Sequence, residues 1–427
     1  MASQLCMKTV KWLSGNRAYN AVFLGVAGLL ALWTCVVMVL SLYHSAWTHY
    51  VDFLYNYAGG FVRRGLTGEI LFFVKDITGI PPLVTCYAVS VVAYVAVAWF
   101  TIAKFRKQGY ALNVLIMGFM LGGVLMTYLS DVRRDYIEMA LFVVIIASFR
   151  RFPTGVWIAL GNLVAIFAIL LHEATFFFMV PVCVLVANIR LRNILKSVIL
   201  WLPSVAAFML CSYYKGTPET LSAICVQIGE YAPEALEDGN TPYLLSFISR
   251  DTLSVFKLHI MYNFTQSFSR YLPIPAVVFT LFYLLYMPFM TVCMIKVFSS
   301  KGLSASRQRS LVALILFQFV MLLPMFTLLS CDICRVGMYW LMSSVVVWLV
   351  LGDEEIRDMF PDRLLAFAEK VSCRSFDRRL PGKLALTLCM LFIGVTAYSR
   401  TATGVLYCSP VAKLCFSAKT VIEAIAR

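Results

Sequence analysis

The sequence predicts an all-α protein, a polytopic transmembrane helical bundle of about eleven spans (ten to twelve) with amphipathic helices on its outer face. Three observations predict it. Hydrophobic residues make up 61% of the 427 residues and charged residues only 14%, with a mean hydropathy of +0.83, whereas soluble domains carry about 25% charged residues. Apolar runs of about 20 residues, the length that crosses a bilayer as a helix, recur along the chain. Lys and Arg gather in short clusters between those runs, so the net charge of +14 reads as a topology signal and not as a nucleic-acid footprint. The composition excludes a soluble enzyme, a disordered chain and a disulfide scaffold. Most of the 13 cysteines lie inside apolar runs, where Cys is a small hydrophobe. Cys331 and Cys334 form a C-x-x-C with no second pair and no nearby His, so no metal or other cofactor is expected.

The elements follow in order. Met1–Asn20, with Lys8, Lys11 and Arg17, reads as cytoplasmic, and Ala21–Tyr43 as the first span, its apolar run too long for a cleavable signal peptide. The outer segment 44–81 precedes a returning span, Pro82–Ile102, which ends at Lys104, Arg106 and Lys107. Tyr110–Leu129 runs outward and Asp135–Ser148 returns to Arg150 and Arg151. Thr154–Leu171 runs outward, His172 and Glu173 form the turn, and Ala174–Ala187 returns to Arg190, Arg192 and Lys196. Ser197–Tyr213 leads to a large outer loop, 214–271, and Leu272–Met294 returns to Lys296, Lys301, Arg307 and Arg309. Leu311–Leu329 and Val336–Leu351 precede a charged cytoplasmic loop, 353–383; Leu384–Ser399 then leaves 400–427 as an outer tail. This topology places 22 of the 36 Lys and Arg residues on the cytoplasmic side, as the positive-inside rule requires. The chain 1–427 therefore reads as one integral membrane domain with an inside N-terminus. Gly65–Phe73 is apolar but too short to span and is expected at the interface or dipping into it. The large loop contains Pro218, Pro233, Gly239 and Pro242 in its first half, while the second half has Leu244, Phe247, Ile248, Leu253, Phe256 and Ile260 near helical spacing, which suggests one or two amphipathic helices on the membrane surface.

Ionisable groups at span ends are costly in hydrocarbon and are functional by default. All four histidines (His44, His49, His172, His259) fall on the outer side of this topology, and four outer segments bring charges to the membrane boundary. The first pairs Asp52 with Arg63 and Arg64 beside Gly59, Gly60 and Gly65. Paired guanidinium forks on flexible backbone suit a phosphate; the alternative is Arg snorkelling to lipid headgroups. The second is Asp131, Arg133, Arg134, Asp135 and Glu138, in which Asp131, Arg134, Asp135 and Glu138 share one helix face; helix capping is the competing explanation for the two aspartates. The third is His172-Glu173 between two apolar runs. A desolvated carboxylate there is expected to have a raised pKa, suited to a general base or acid; the alternative is a polar hairpin turn. The fourth is Asp332-x-x-Arg335 in a five-residue loop, whose bland reading is an ion pair at a helix end.

At these residues the chain resembles a known family. Gly60-Phe-Val-Arg-Arg-Gly-Leu66 resembles a signature of bacterial polytopic proteins from surface-polysaccharide clusters. Asp332-x-x-Arg335 resembles their Asp-Trp-Gly-Arg-Trp segment, with Ile333, Cys334 and Val336 replacing the usual neighbours. Leu171-His172-Glu173-Ala174 followed by Pro181 is similar to a span junction of O-antigen and exopolysaccharide polymerases of the EpsG-like kind. The resemblance implies a glycan polymerase or a polytopic C-type glycosyltransferase acting on the periplasmic face of the bacterial inner membrane. Its partners would be an undecaprenyl-pyrophosphate-linked glycan, membrane lipid and a chain-length regulator protein, with no nucleic acid. Arg63, Arg64, Arg134 and Arg335 are then expected to hold the pyrophosphate. Glu173 or Asp135 would take the acceptor proton, His172 would orient base or sugar, and Tyr231, Tyr243 and Phe247 would stack on sugar rings. A transferase using a polyprenyl monophosphate sugar, with Asp52 as base, is the alternative in the same class. A flippase is the alternative in another, and it would call for mid-membrane charges and repeats.

Overall fold

The computed structural model describes residues 47–109, 134–236, 276–299, 302–330 and 333–376, with isolated positions between 245 and 260 and between 382 and 389. Among them every regular element is helical. The expected spans at 21–43, 110–129 and most of 384–399, and the tail, lie outside the described residues.

A short helix α1 (Trp47–Phe53) and a glycine-rich turn lead to α2 (Leu66–Thr78), which closes on Gly79. The next helix, α3 (Pro82–Lys107), starts with proline at its first position and ends with Lys104, Arg106 and Lys107, cations that suit the negative end of a helix dipole. Helices α4 (Asp135–Ser148), α5 (Thr154–Leu171) and α6 (Thr175–Leu191) follow. The first two coincide with the expected spans because charges and Pro153 delimit both runs.

The expected continuous span at 197–213 is instead two helices, α7 (Ile194–Leu200) and α8 (Leu202–Tyr213), bent by 52° at Trp201. Pro203, at the start of α8, has no N–H to continue the ladder. In hydrocarbon no water can satisfy the backbone freed by such a break, and Asn162 of α5 takes that role. Its Nδ2 donates to Leu200 O (2.9 Å), while Ser204 Oγ donates to Asn162 Oδ1 (2.7 Å).

The first part of the expected 214–271 loop forms helix α9 (Pro218–Tyr231) and a 3-10 turn, Pro233–Leu236. Pro218 begins this helix, and Thr217 caps it by accepting from the Thr220 amide (3.2 Å). Then come α10 (Ala276–Val297), α11 (Ala305–Pro324, ending in a π-turn over Met325–Leu329) and α12 (Ile333–Val350). The expected cytoplasmic loop holds two helices, α13 (Asp353–Met359) and α14 (Asp362–Phe376).

Among the described residues, three helices are long and apolar enough to cross a membrane: 82–107, 154–171 and 305–329. The bent pair α7–α8 makes a fourth if counted as one span. Helices α3 to α6, α8 and α10 to α14 share one apolar core, in which Gln318 of α11 ties three helices together. Its Nε2 donates to Phe178 O (2.9 Å) and Ser343 Oγ (2.8 Å), the polar bonding that holds helices together where lipid offers no hydrophobic drive. At the basic end, Arg150, Arg192 and Arg307 pair with Glu355, Asp358 and Asp353 of α13. Each such surface pair is worth about 0–1 kcal/mol, but together they join two loops and the start of α11 to one helix.

A second, smaller core lies apart from the first. Tyr50, Leu54, Tyr55, Val62, Leu71 and Phe72 pack with Ile224, Ile228, Ala232 and Ile248, so the segment 50–72 and the described residues of 224–248 form one layer. Gly68 makes that layer possible: its N–H donates to Tyr55 O (2.9 Å), and a Cβ there would stand 2.3 Å from the same oxygen.

Candidate functional site

The four charged segments converge. The 57–65 turn is shaped by Gly60, whose φ of 109° only glycine adopts easily. Tyr57 N donates to Glu69 Oε1 (2.7 Å), fixing the turn to α2. It presents Arg64, itself left-handed at φ 67°, to the hairpin between α5 and α6. There the guanidinium grips Glu173 with both prongs: Nε to Oε2 (2.8 Å) and Nη2 to Oε1 (2.6 Å). Arg63 is half-buried beside them, close enough to feel the charges of Glu173 and Arg64. Asp52 closes this side, accepting from Tyr55 Oη (2.8 Å) with its charge acting on Arg64 and Arg134.

The other side starts at α4 and α12. Arg335 Nε donates to Asp135 Oδ1 (2.9 Å), and Tyr339, one turn along α12 from Arg335, donates to Asp135 and reaches Glu138 Oε2 (2.8 Å). Both acids are fully buried. Phe178 stacks on the Tyr339 ring at 4.6 Å and seals them off. His172 lies between the two ion pairs, within the influence of Arg64, Glu173, Arg335 and Arg134. Asp131, Arg133 and Asp332 lie outside the described residues, as do Tyr243 and Phe247.

Four expected roles change. Burial alone would push the Glu173 carboxyl up, but the Arg64 fork outweighs it and holds the group well below the usual carboxylate range. At rest, then, Glu173 is an ionised partner of Arg64 and a weak base. Arg134 does not face a ligand: it is buried, its Nη1 donates to Leu171 O (2.7 Å) and Thr67 Oγ1 (3.4 Å), and its guanidinium lies over the Phe53 ring. Asp135, offered as a base, is fixed by Arg335 and Tyr339 with no exposed surface. Tyr231 is committed to packing, against Phe72 at 4.5 Å and with its hydroxyl donating to Asp76 Oδ2 (2.9 Å).

The reading of charges alone missed Tyr55, Thr67 and Tyr339, the groups that bond the charges. For Tyr339 a signal existed, since it stands four residues after Arg335 and so on the same helix face. Among the described residues no three His, Cys, Asp or Glu side chains are grouped to hold a metal ion.

His172 yields a pH prediction. Its Nδ1 accepts from the Ala174 amide (3.2 Å), which requires a neutral ring protonated at Nε2. Burial, reinforced by the Arg64 charge, pushes its pKa well below the ordinary value. A group whose pKa is depressed on folding binds its proton first in the unfolded chain, whose histidine titrates near about 6.5. The His172 contribution to stability is therefore complete above that pH and declines below it. The unfolding midpoint in detergent should fall between roughly pH 7.5 and 5.5, and His172→Gln should flatten the slope. Glu173 acts in the same direction but only near and below the carboxylate range, so the upper window reports His172.

The site thus holds guanidinium forks, one partly exposed carboxylate and one neutral imidazole donor where four helices, α4, α5, α6 and α12, begin or end. Helices α4 and α6 are 14 and 17 residues long, rising about 21 and 26 Å against a hydrocarbon thickness of about 30 Å. No protein-family model matches the chain, and neither does any curated protein or solved structure.

Proposed function

We propose that the chain is a glycosyltransferase of the bacterial inner membrane, with about eleven spans and its N-terminus inside. It would polymerise undecaprenyl-pyrophosphate-linked repeat units, of O-antigen or capsule, on the periplasmic face. The observation that carries the reading is the meeting of Arg63, Arg64, Glu173, His172 and Arg335, from three distant segments, around two ion pairs at the ends of membrane helices. A lipid-linked pyrophosphate needs fixed positive donors, and a sugar hydroxyl needs a nearby base; this group supplies both. Short helices support a recess at the membrane boundary, where a lipid-borne donor arrives without leaving the bilayer.

In this mechanism Arg63, Arg64 and Arg335 bind the pyrophosphate. The acceptor hydroxyl oxygen forms a bond to the anomeric carbon, the bond from that carbon to the phosphate oxygen breaks, and its electron pair leaves on the pyrophosphate. The hydroxyl proton passes to Glu173, and His172 Nε2–H donates a hydrogen bond to the sugar. Arg134 and Asp135 position these groups without touching the substrate. Asp52, beside Arg64 and bonded by Tyr55, favours a second reading in which a single sugar is transferred from a polyprenyl monophosphate with Asp52 as base.

The test is Arg64→Ala and Glu173→Ala in the native host at matched protein levels. Single repeat units without long chains are the expected product. Loss of the repeat unit itself would select the monosaccharide transferase, and unaltered glycan in both variants would discard the site.

A further inference from the structure

The two ion pairs differ in what breaking them would cost. Asp135 is fully buried and bonded to both Arg335 and Tyr339, so parting that pair strands a charge without water. Arg64 and Glu173 keep 24% and 18% of their side-chain surface exposed, and water or a ligand can reach both once they separate. That access, not weakness of the pair, is what lets an incoming anion compete for the guanidinium. A phosphate offers Arg the same planar pair of acceptors as a carboxylate, with more charge. Glu173 therefore sits where a phosphate would bind, on the prongs a phosphate would use.

We propose that Glu173 is a resident anion which the donor pyrophosphate displaces from Arg64, and that displacement turns it into the acceptor base. This rests on the phosphate-binding reading of the site. Once Arg64 is taken by phosphate, Glu173 is left largely enclosed without its cation and beside a neutral His172, conditions that raise a carboxylate's affinity for a proton. The acceptor hydroxyl proton then moves to Glu173 as its oxygen bonds to the anomeric carbon and the pyrophosphate departs with the electron pair. Donor must bind before acceptor is activated. The empty site holds no strong base, and one forms only when the donor is bound.

Calorimetric titration of the purified full chain in detergent with inorganic pyrophosphate tests the exchange. Glu173→Gln removes the competing charge but keeps a carbonyl acceptor for Arg64. It should bind pyrophosphate at least about tenfold more tightly than wild type, while Arg64→Gln should bind none. Glu219→Gln, an exposed acid next to Thr220, whose hydroxyl donates to Gly59 O, should stay near wild type. Equal tightening in that control would overturn the exchange in favour of a general field. Unchanged or weaker binding in Glu173→Gln, with binding still lost in Arg64→Gln, would overturn the exchange and leave the phosphate site standing. Binding in none of the proteins would overturn both. If Glu173→Gln does not fold, Glu173→Asp withdraws the carboxylate by one methylene and should show a smaller gain of the same sign.

Discussion

Arg335→Ala is expected to lower the stability of the chain by about 3–5 kcal/mol, because it leaves a buried carboxylate without its cation. Asp135 has no exposed surface. In the variant Tyr339 still donates to it, but that one hydroxyl proton must also serve Glu138. A buried anion so placed cannot be rescued by water, since Phe178 lies flat against the tyrosine ring. The check is denaturant unfolding in detergent micelles followed by tryptophan fluorescence. The double variant Asp135→Asn, Arg335→Gln removes both charges and keeps hydrogen-bonding atoms, so it should recover most of the loss. A double variant as unstable as the single one would show that Arg335 is needed for its packing instead.

Arg134→Met should cost on the order of 3 kcal/mol, with no direct effect on pyrophosphate affinity. Nη1 of Arg134 is the donor to Leu171 O, the last residue of α5, and a helix-end carbonyl without a donor costs about 1–3 kcal/mol when buried. The guanidinium also lies 5.6 Å from the centre of the Phe53 ring, an arrangement worth up to about 2 kcal/mol when desolvated. Methionine fills the space and supplies neither contact. Lysine keeps the charge but not the fork and should fall between the two. Normal stability together with lost pyrophosphate binding in Arg134→Met would reverse the assignment and make Arg134 a ligand group.

These expectations show where the sequence was readable. Helix ends at Asp135, Ser148, Thr154 and Leu171 were legible because a charged residue or proline interrupts hydrophobicity at each end. The break at Trp201 was not, because hydropathy averages over Pro203, although a proline inside an apolar run is its own warning. Pro218 is a signal of the opposite kind, since a proline at the first helical position starts a helix. In the site, each costly charge stood out against apolar neighbours, and the segments that bear Arg64, Asp135, Glu173 and Arg335 do come together. What stayed illegible was direction. Arg134 turns inward to a carbonyl, and no pattern of charges tells a ligand-facing guanidinium from one that supports a helix end. Tyr55 and Tyr339 were equally silent, because a tyrosine near a membrane boundary is commonplace.

The left-handed backbone of Arg64 has a mechanical consequence. An arginine in that conformation sits about 1–2 kcal/mol uphill of the ordinary right-handed or extended one, and the grip of Glu173 is among the contacts that keep it there. The turn therefore carries that strain against a carboxylate more than a hundred residues further along the chain, so a contact remote in sequence helps to fix its backbone.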